Sequence, residues 1–283
     1  MKINKYPDGT SYVQETNPTG YTTFKINTYE DLWHLNQYVD AYNNFNKGGI
    51  RPTITIPNLI DAQADKRFNI GESSGLKLVC NFLNNMNADF KIFHPHNAEV
   101  VEALIDNVEI IDNCEFVSNV LSKLNDKDIT PTILLPDGGA FKWGAKLADK
   151  LGLKLDVIAA VKNRKFVDSK SILTQQLPDY NFEGKDVLII DDICVYGGTF
   201  KGLSKLLKER NCGKLYLAVS HMTVQNLGED PVINYFDKVF CTNSKYDEYF
   251  YEKDLYLSSD IEGNEFMVKE KYYPENLEII KLF

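Results

Sequence analysis

Short apolar runs alternate with helix-like patterns along most of the chain. The predicted strands cover residues 53–56, 91–93, 132–135, 155–161, 187–191, 214–220 and 238–241. Apolar residues at helical spacing predict helices over about 29–44 and 74–86, and two further helices begin after Gly139 and after Gly198. Thr28 and Asp31 have the spacing of a capping box at the start of the first helix. Because apolar strands that alternate with helices form parallel sheets covered on both faces, the pattern predicts an α/β fold.

Two polar segments interrupt this pattern. Residues 124–130 (LNDKDIT) precede a new predicted strand, so we place a domain boundary there. The prediction is one domain over residues 1–128, a second over 129–244, and a tail over 245–283 rich in Tyr and charge. Residues 164–178 are also polar and lack strong periodicity, which is typical either of a flap that closes over phosphates or of an ordinary surface loop.

The composition narrows the function classes. Hydrophobic residues make up 43% of the chain and charged residues 25%, as in ordinary globular proteins. The net charge of -9 disfavours nucleic acid as a partner, because duplex-binding proteins usually carry a basic face. The five cysteines form no CxxC pair or zinc spacing, which predicts free thiols in a reducing cytoplasm. No apolar stretch approaches the roughly 18 residues of a membrane span, so no membrane partner is expected.

The strongest local signal is the segment 187–200, VLIIDDICVYGGTF. An apolar strand ends in Asp191 and Asp192, and a short glycine loop then opens a helix. Ligands of open α/β sheets bind at the carboxyl ends of the strands. The two carboxylates are placed to accept hydrogen bonds from vicinal hydroxyls of a ribose. The alternative is a plain strand–turn–helix with two solvated acids.

The glycine loop predicts an anion site beside these acids. The backbone N–H groups of Gly197, Gly198 and Thr199 would form a nest for a phosphate, strengthened by the helix N-terminus. One loop would therefore hold a sugar and its phosphate together.

This loop resembles the PRPP-binding loop shared by type I phosphoribosyltransferases and PRPP synthetases. The wider chain, from about Tyr6 to Ser244, is similar to the synthetases (ribose-phosphate pyrophosphokinases), because several short motifs occur in the same order. These motifs lie at residues 6–9 (YPDG), 56–57 (IP), 65–67 (DKR), 93–97 (FHPHN), 135–139 (LPDGG), 161–165 (VKNRK), 220–221 (SH) and 242–244 (TNS). The resemblance implies two related phosphoribosyltransferase-type domains with parallel sheets and an active site between them.

The resemblance also implies which residues contact ATP and metal. Tyr6, Asp8, Asp65 and His96 would bind ATP, and His96 and Asp137 would place Mg²⁺. Mg²⁺ prefers few carboxylates, waters and phosphate oxygens, so a sparse protein shell is expected. The residues alone leave alternatives open: a tight turn for Tyr6 and Asp8, a packed or capping role for His96, and a plain helix cap for Asp137.

Two basic residues match the catalytic segment of the family. Transfer of a diphosphate passes through an anionic, in-line transition state, so catalysis comes from positioning and charge stabilisation. Lys162 and Arg164 follow the predicted strand 155–161, and the resemblance implies that they stabilise the β and γ phosphates of ATP. The alternative is a solvated basic loop.

The chain departs from the family pattern at positions that would contact the adenine of ATP and the 5-phosphate of the acceptor. Gln63-Ala64 replaces the usual Arg-Gln pair before Asp65, and Val195-Tyr196 replaces an Asp-Thr in the sugar-phosphate loop. Tyr196 would stack on, or make room beside, a group larger than a phosphate. The resemblance, to a short divergent phage-like member, therefore implies either ribose 5-phosphate, giving PRPP, or ADP-ribose, giving ADP-ribose pyrophosphate, with release of AMP.

Two other functions compete. A type I phosphoribosyltransferase would share the acid pair and glycine loop but consume PRPP, and a regulatory relative would bind nucleotide without turnover. Lys162 and Arg164 argue against both. Members of the family assemble, so the resemblance also implies a homo-oligomer.

Overall fold

The structure is a computed structural model that describes residues 1–47, 49–167, 170–259 and 265–283. Within these ranges, the side chains of residues 142, 162–167, 170–174, 253–259 and 265–269 lie outside the described part. Contacts divide the chain into two compact units. The first comprises Met1–Asn113 together with Phe283, and the second comprises Cys114–Leu282.

The first unit is built on a parallel sheet. Its elements are β1 (Lys2–Lys5), β2 (Ser11–Gln14), β3 (Tyr21–Thr23), α1 (Tyr29–Phe45), β4 (Thr53–Ile56), α2 (Gly75–Asn84), β5 (Asp89–Phe93), α3 (Ala98–Leu104) and β6 (Val108–Ile111). Strands β3, β4, β5 and β6 pair in that order, all parallel, while β1 and β2 form a separate antiparallel hairpin. Ile54, Ile56 and Ile92 are completely buried in this sheet. The sheet places the loops after β4 and β5 at one edge, because the carboxyl ends of parallel strands lie together.

The predicted capping box at the start of α1 is confirmed. The Thr28 side chain accepts a hydrogen bond from the Asp31 N–H at 3.1 Å, and Asp31 accepts one from the Thr28 N–H at 2.9 Å. This reciprocal pair satisfies two backbone donors that a helix start leaves without partners. It fixes where α1 begins, and α1 in turn packs on β2.

The second unit contains a larger parallel sheet. Its elements are α4 (Cys114–Asn125), β7 (Thr132–Leu135), α5 (Gly138–Lys150), β8 (Val157–Ala159), β9 (Val161–Val167), β10 (Lys170–Gln176), β11 (Val187–Cys194), α6 (Gly198–Glu209), β12 (Leu215–Met222), a 3-10 helix (Val232–Tyr235), β13 (Lys238–Thr242), β14 (Tyr251–Ser259), β15 (Glu265–Tyr272) and β16 (Leu277–Ile280). Six strands pair in the order β16-β13-β12-β11-β7-β8, and every pairing is parallel. All eight residues of β12 are buried, which explains their nearly continuous apolar sequence.

The predicted strand 155–161 is divided in the structure. Only β8 (Val157–Ala159) joins the six-stranded sheet, and the Ala160 N–H makes a hydrogen bond to the Leu135 carbonyl at 2.9 Å. From Val161 the chain pairs with its own continuation, as β9 and β10 form an antiparallel ribbon. The polar segment 164–178 thus contains most of this ribbon. Its polar residues suit a two-stranded ribbon and would be costly inside a doubly covered parallel sheet.

The boundary between the units lies before α4, whereas the sequence placed it at 128/129. Lys123 in α4 and Lys238 in β13 both pair with Glu278 in β16, at 2.6 Å and 3.3 Å. These ion pairs tie α4 to the edge of the six-stranded sheet, so the helix groups with the sheet that follows it. The polar segment that suggested the boundary is therefore the connection between α4 and β7.

The predicted tail, residues 245–283, contributes a strand to the second sheet. β16 pairs in parallel with β13 at the sheet edge. Just before it, the Asn276 side chain donates to the carbonyls of Ile233 and Phe236 at 2.9 Å and 3.1 Å. This docking was not predicted, because β16 is short and its partners lie about 40 residues away in the chain.

The last features of the fold to consider are membrane-spanning helices and disulfide bonds. Across the described ranges, no helix combines the length and apolar character needed to cross a bilayer. Within the same ranges, none of the five cysteines is joined to another in a disulfide.

We expect Asn276→Ala to destabilise the protein, because it removes two hydrogen bonds that a half-buried side chain gives to backbone carbonyls. The free energy of unfolding should fall by about 1–3 kcal/mol in urea titrations followed by circular dichroism. The matched control is Glu275→Ala, an exposed neighbour, which should change that free energy by less than about 0.5 kcal/mol. Equal effects of the two substitutions would show that Asn276 does not dock β16.

Candidate active site

The acid pair lies at the carboxyl end of β11, in the middle of the second sheet. β11 has β7 on one side and β12 on the other. Asp192 is buried and Asp191 half-buried, and the Asp192 N–H donates to Asp191 Oδ1 at 2.9 Å. The strand extends to Cys194, three residues beyond its predicted end. Both acids therefore lie near the carboxyl end of a buried central strand, but the strand does not end at them as the sequence predicted.

A third carboxylate faces this pair. Burial raises the pKa of Asp191 well above its ordinary value, and the negative charges of Asp192 and Asp137 raise it further. Asp137 follows β7, the neighbour of β11 in the sheet. Carboxylates from two adjacent strands thus meet at one edge, where a cation or a hydroxyl donor would relieve their repulsion.

Asp137 also performs the structural role that the sequence left open. It is the N-cap of α5, and its Oδ1 accepts a hydrogen bond from the Ala140 N–H at 3.0 Å. One carboxylate oxygen is therefore engaged in starting the helix. The cap holds the carboxylate at the edge where Asp191 lies, so the two roles are compatible.

Gly197 occupies a position that no other residue fills without strain. Its φ of 73° lies in the left-handed region, and a Cβ at this position would lie 2.5 Å from the side chain of Val232. Next to it, Gly198 has nothing within 4 Å of an added Cβ, so this part of the loop is open. α6 starts at Gly198, and its first N–H groups have no intrahelical partner. The anion nest predicted at residues 197–199 would lie at this helix start, and it stays a prediction.

A pocket of about 200 Å³ adjoins this loop. Most of its lining is apolar or aromatic, contributed by Val195, Tyr196, Met222, Val224, Leu227 and Val232. Tyr196 is 80% exposed at its mouth. The sequence analysis identified Tyr196 but not the opposite wall. Residues 222–232 are distant from the loop in the sequence, and only folding brings them next to it.

Lys201 is a charged member of this pocket that the sequence analysis did not single out. Its ammonium group pairs with the Asp230 carboxylate at 2.8 Å and also contacts the Asp230 carbonyl. Its position, one turn after the glycine loop, was the signal available in the sequence. The pair fixes the loop before the 3-10 helix against α6, and that loop forms a pocket wall.

The first unit brings together two of the loops predicted to bind nucleotide. The Asn97 side chain donates to Asp65 Oδ2 at 3.3 Å and caps α3 by accepting from the Val100 N–H. His96, just before Asn97, is exposed. Asp65 and His96 therefore lie in loops that are joined by a side-chain hydrogen bond at the carboxyl edge of the first sheet.

Tyr6 and Asp8 lie in the turn of the β1–β2 hairpin. Asp8 Oδ1 accepts hydrogen bonds from the N–H and the hydroxyl of Thr10, which lowers the pKa of Asp8. The Tyr6 ring is 54% exposed and lies 5.3 Å from the ring of Tyr12. The structure therefore contains the tight turn. The Tyr6 ring is exposed, and its contact with ATP stays a prediction.

Lys162 and Arg164 belong to β9, where their Cα positions lie opposite Gln175 and Leu173 of β10. Their side chains lie outside the described part of the structure. Their assignment to the phosphates of ATP therefore stays a prediction.

The remaining two motifs form one buried hydrogen-bond cluster. His221 Nδ1 and the Ser244 hydroxyl are 2.9 Å apart, and the Thr242 hydroxyl donates to the Ser220 carbonyl at 2.6 Å. These residues end β12 and β13, and His221 lies opposite Ile193 of β11 in the strand register. The cluster satisfies buried polar groups and fixes the strand ends beside the acid pair.

Comparisons with known proteins agree with this geometry. Residues 101–253 match the family model described as phosphoribosyl transferase domain, which is more than half of the chain. The ribose-phosphate pyrophosphokinase of Sulfurisphaera tokodaii is 27% identical over 253 residues, covering 84% of this chain and 82% of that protein. The enzyme of the same name from Thermococcus kodakarensis is 24% identical over 249 residues, covering 86% and 85%.

Among solved structures, a phosphoribosylpyrophosphate synthetase from Mycobacterium smegmatis superposes with a TM-score of 0.71. The match covers 99% of this chain and 85% of that chain at 17% identity, so it establishes the fold. The predicted α/β fold with parallel sheets of phosphoribosyltransferase type is confirmed. By fold and by sequence, this chain belongs to the phosphoribosyl transferase domain family, and its curated homologues are ribose-phosphate pyrophosphokinases.

Proposed function

We propose that this protein transfers the terminal diphosphate of ATP to the 1-hydroxyl of a ribose 5-phosphoryl acceptor and releases AMP. The observation that carries the proposal is the placement of Asp191 and Asp192 beside the backbone nest at Gly197, at the end of one buried strand. The acids suit the vicinal hydroxyls of a ribose, and the nest suits its 5-phosphate. An acceptor held at both points has its 1-hydroxyl fixed for attack.

The extent of the similarity favours this reaction over simple phosphoribosyl transfer. The 253-residue alignment with the Sulfurisphaera tokodaii protein is longer than residues 114–282, so it extends into the first unit. That unit has its own parallel sheet and the loops of Asp65 and His96. A phosphoribosyltransferase that consumes PRPP has no use for a second nucleotide site, whereas ATP as donor requires one.

The reaction balances as an in-line displacement at the β-phosphorus of ATP. The acceptor 1-oxygen forms a bond to that phosphorus, the bond to the bridging oxygen breaks and AMP leaves with that oxygen, and the 1-hydroxyl proton passes to solvent. Charge builds up on the transferred phosphates, where Lys162 and Arg164 are proposed to act. The role of Asp191 and Asp192 is to hold the ribose, and the role of the nest is to hold the 5-phosphate.

Mg²⁺ fits the residues at this edge. Among the described residues, no three His, Cys, Asp or Glu side chains are arranged to hold a metal ion on their own. Such a sparse set is compatible with Mg²⁺, which keeps waters and binds through few carboxylates and substrate phosphates. Asp137 is the proposed carboxylate at this edge of the second sheet, and the part of His96, which belongs to the first unit, stays a prediction. Bound Mg²⁺ would neutralise the negative charge of the phosphates.

The pocket beside the glycine loop favours an acceptor larger than ribose 5-phosphate. A free 5-phosphate would be held by backbone N–H groups and would not need the apolar wall of Tyr196, Leu227 and Val232. ADP-ribose has the same ribose end but carries an AMP group on its 5-phosphate. Its adenine would bury apolar surface in this pocket and stack on Tyr196. We therefore propose ADP-ribose as the preferred acceptor, and ribose 5-phosphate as the alternative.

The first experiment mixes purified protein with Mg²⁺, ATP and either ADP-ribose or ribose 5-phosphate, and follows products by mass spectrometry. We expect AMP and an acceptor heavier by one diphosphate, with the higher kcat/KM for ADP-ribose. The absence of AMP with both acceptors would contradict diphosphate transfer and favour a transferase or a regulatory relative. The homo-oligomer implied by the resemblance stays a prediction.

The role of Tyr196 is tested by Tyr196→Ala. The side chain is largely exposed, so the fold should be unaffected. Loss of one stacking partner should raise the KM for ADP-ribose about tenfold. The KM for ribose 5-phosphate serves as the control and should stay unchanged. An equal change for both acceptors would exclude selective contact with the AMP group.

The catalytic assignment of Lys162 is tested by Lys162→Ala. Loss of a charge that stabilises the transition state should lower kcat by about 100- to 1,000-fold. The matched control is Lys154→Ala, an exposed lysine in the loop before β8. A kcat of Lys162→Ala close to that of the control would remove Lys162 from the mechanism.

A further inference from the structure

Gln175, near the end of β10, connects the β9–β10 ribbon to α6. Its side-chain Nε2 donates a hydrogen bond to the Thr199 carbonyl at 3.1 Å. Thr199 lies in the first turn of α6 and belongs to the candidate phosphate nest. Gln175 is half-buried, and the two residues are 24 positions apart in the chain. The contact therefore joins two elements that the sequence keeps well separated.

Gly202 provides space for this side chain. A Cβ on Gly202 would overlap the Gln175 Oε1 atom. Gly202 lies in the interior of α6, where glycine is unfavourable compared with alanine because it loses more backbone entropy. The helix thus carries a glycine, which is destabilising in a helix interior, at a position that the Gln175 carboxamide contacts. The Thr199 carbonyl and the Gly202 backbone together form the contact site of the Gln175 side chain.

The strand register links this contact site of Gln175 to the predicted catalytic residues. The Cα of Gln175 lies directly opposite the Cα of Lys162, and Leu173 lies opposite Arg164. Because the two strands of the ribbon are hydrogen-bonded, holding Gln175 also holds the backbone at Lys162. Through Thr199 the same side chain is bonded to the loop proposed to hold the 5-phosphate.

We propose that Gln175 is a positioning residue that holds the strand of Lys162 and Arg164 at a fixed place beside the sugar-phosphate loop. The inference rests on the proposed function, since it assigns a catalytic purpose to that placement. A donor group is required at this position, because the Thr199 carbonyl can only accept a hydrogen bond, and the carboxamide supplies an N–H. A carboxylate of the same size would meet the carbonyl oxygen with a negative charge.

The placement itself is tested by hydrogen exchange, independently of activity. Deuterium uptake in peptides covering residues 161–176 should increase in Gln175→Ala and in Gln175→Glu. The matched control is Gln176→Ala, which changes the same residue type one position along the same strand, where the side chain is exposed. Uptake in Gln175→Ala equal to that in the control would overturn the inference.

The contact between Gly202 and Gln175 provides a second test of the inference. In Gly202→Ala the added methyl group should displace the Gln175 carboxamide and increase exchange in the ribbon, while Tm should not fall because alanine favours the helix. The double variant Gln175→Ala/Gly202→Ala should show no more exchange than Gln175→Ala alone, since the clash has lost its partner. Additive effects in the double variant would show that the two residues act separately.

Kinetics test the catalytic purpose. Gln175→Ala and Gln175→Glu should lower kcat about tenfold, the effect of losing one positioning hydrogen bond, with smaller changes in the KM for ATP and for the acceptor. An unchanged kcat together with increased exchange would overturn the positioning role. If the wild-type protein transfers no diphosphate to either acceptor, the proposed function is wrong and the catalytic role is wrong with it. The exchange comparison would then still decide whether Gln175 holds the ribbon.

Discussion

The parallel pairing of β11 with β7 and with β12 is the constraint on which the acceptor site depends. It buries the apolar first half of β11 and places Asp191 and Asp192 in the second half of the strand, which ends at Cys194. The same pairing brings the end of β7, with Asp137, to the same edge. Every proposed contact to ribose or metal follows from the carboxyl ends of parallel strands lying together.

This arrangement places three carboxylates near one another at a partly buried edge of the sheet. Burial and the neighbouring carboxylates raise the pKa of Asp191, so the site without ligand disfavours the ionised form. Hydroxyl groups of a sugar and a divalent cation both relieve that cost, because they supply the positive ends of dipoles or a full positive charge. The proposed nest of backbone N–H groups on the next loop would then bind the phosphate without adding another charged side chain. The unfavourable electrostatics of the free site therefore favour a ligand that brings both hydroxyls and metal.

The parts of the site that the sequence predicts are local ones. The acid pair, the glycine loop and the capping box of Thr28 with Asp31 each depend on residues within a few positions of one another, and the structure has all three. The predicted extent of the strand 155–161 was wrong. The chain leaves the sheet at Ala160 because the residues from Val161 onward pair with β10 instead of β7, and a strand's pairing partner cannot be predicted from its own residues. Val232 and Gln175 were missed for the same reason: only the folded chain brings them to the loop, and nothing in their own sequence neighbourhood indicates it.

Two glycines show how these distant residues fix the loop. At Gly197, Val232 fills the space of a side chain, and at Gly202 the Gln175 carboxamide does so. The start of α6 is thus contacted by the 3-10 helix that borders the pocket and by the ribbon that carries Lys162. A phosphate bound at this helix start would be placed relative to both at once. In the proposed reaction, specificity for the acceptor and proximity to the basic residues would depend on the same helix turn, so a change that moves this turn should affect both together.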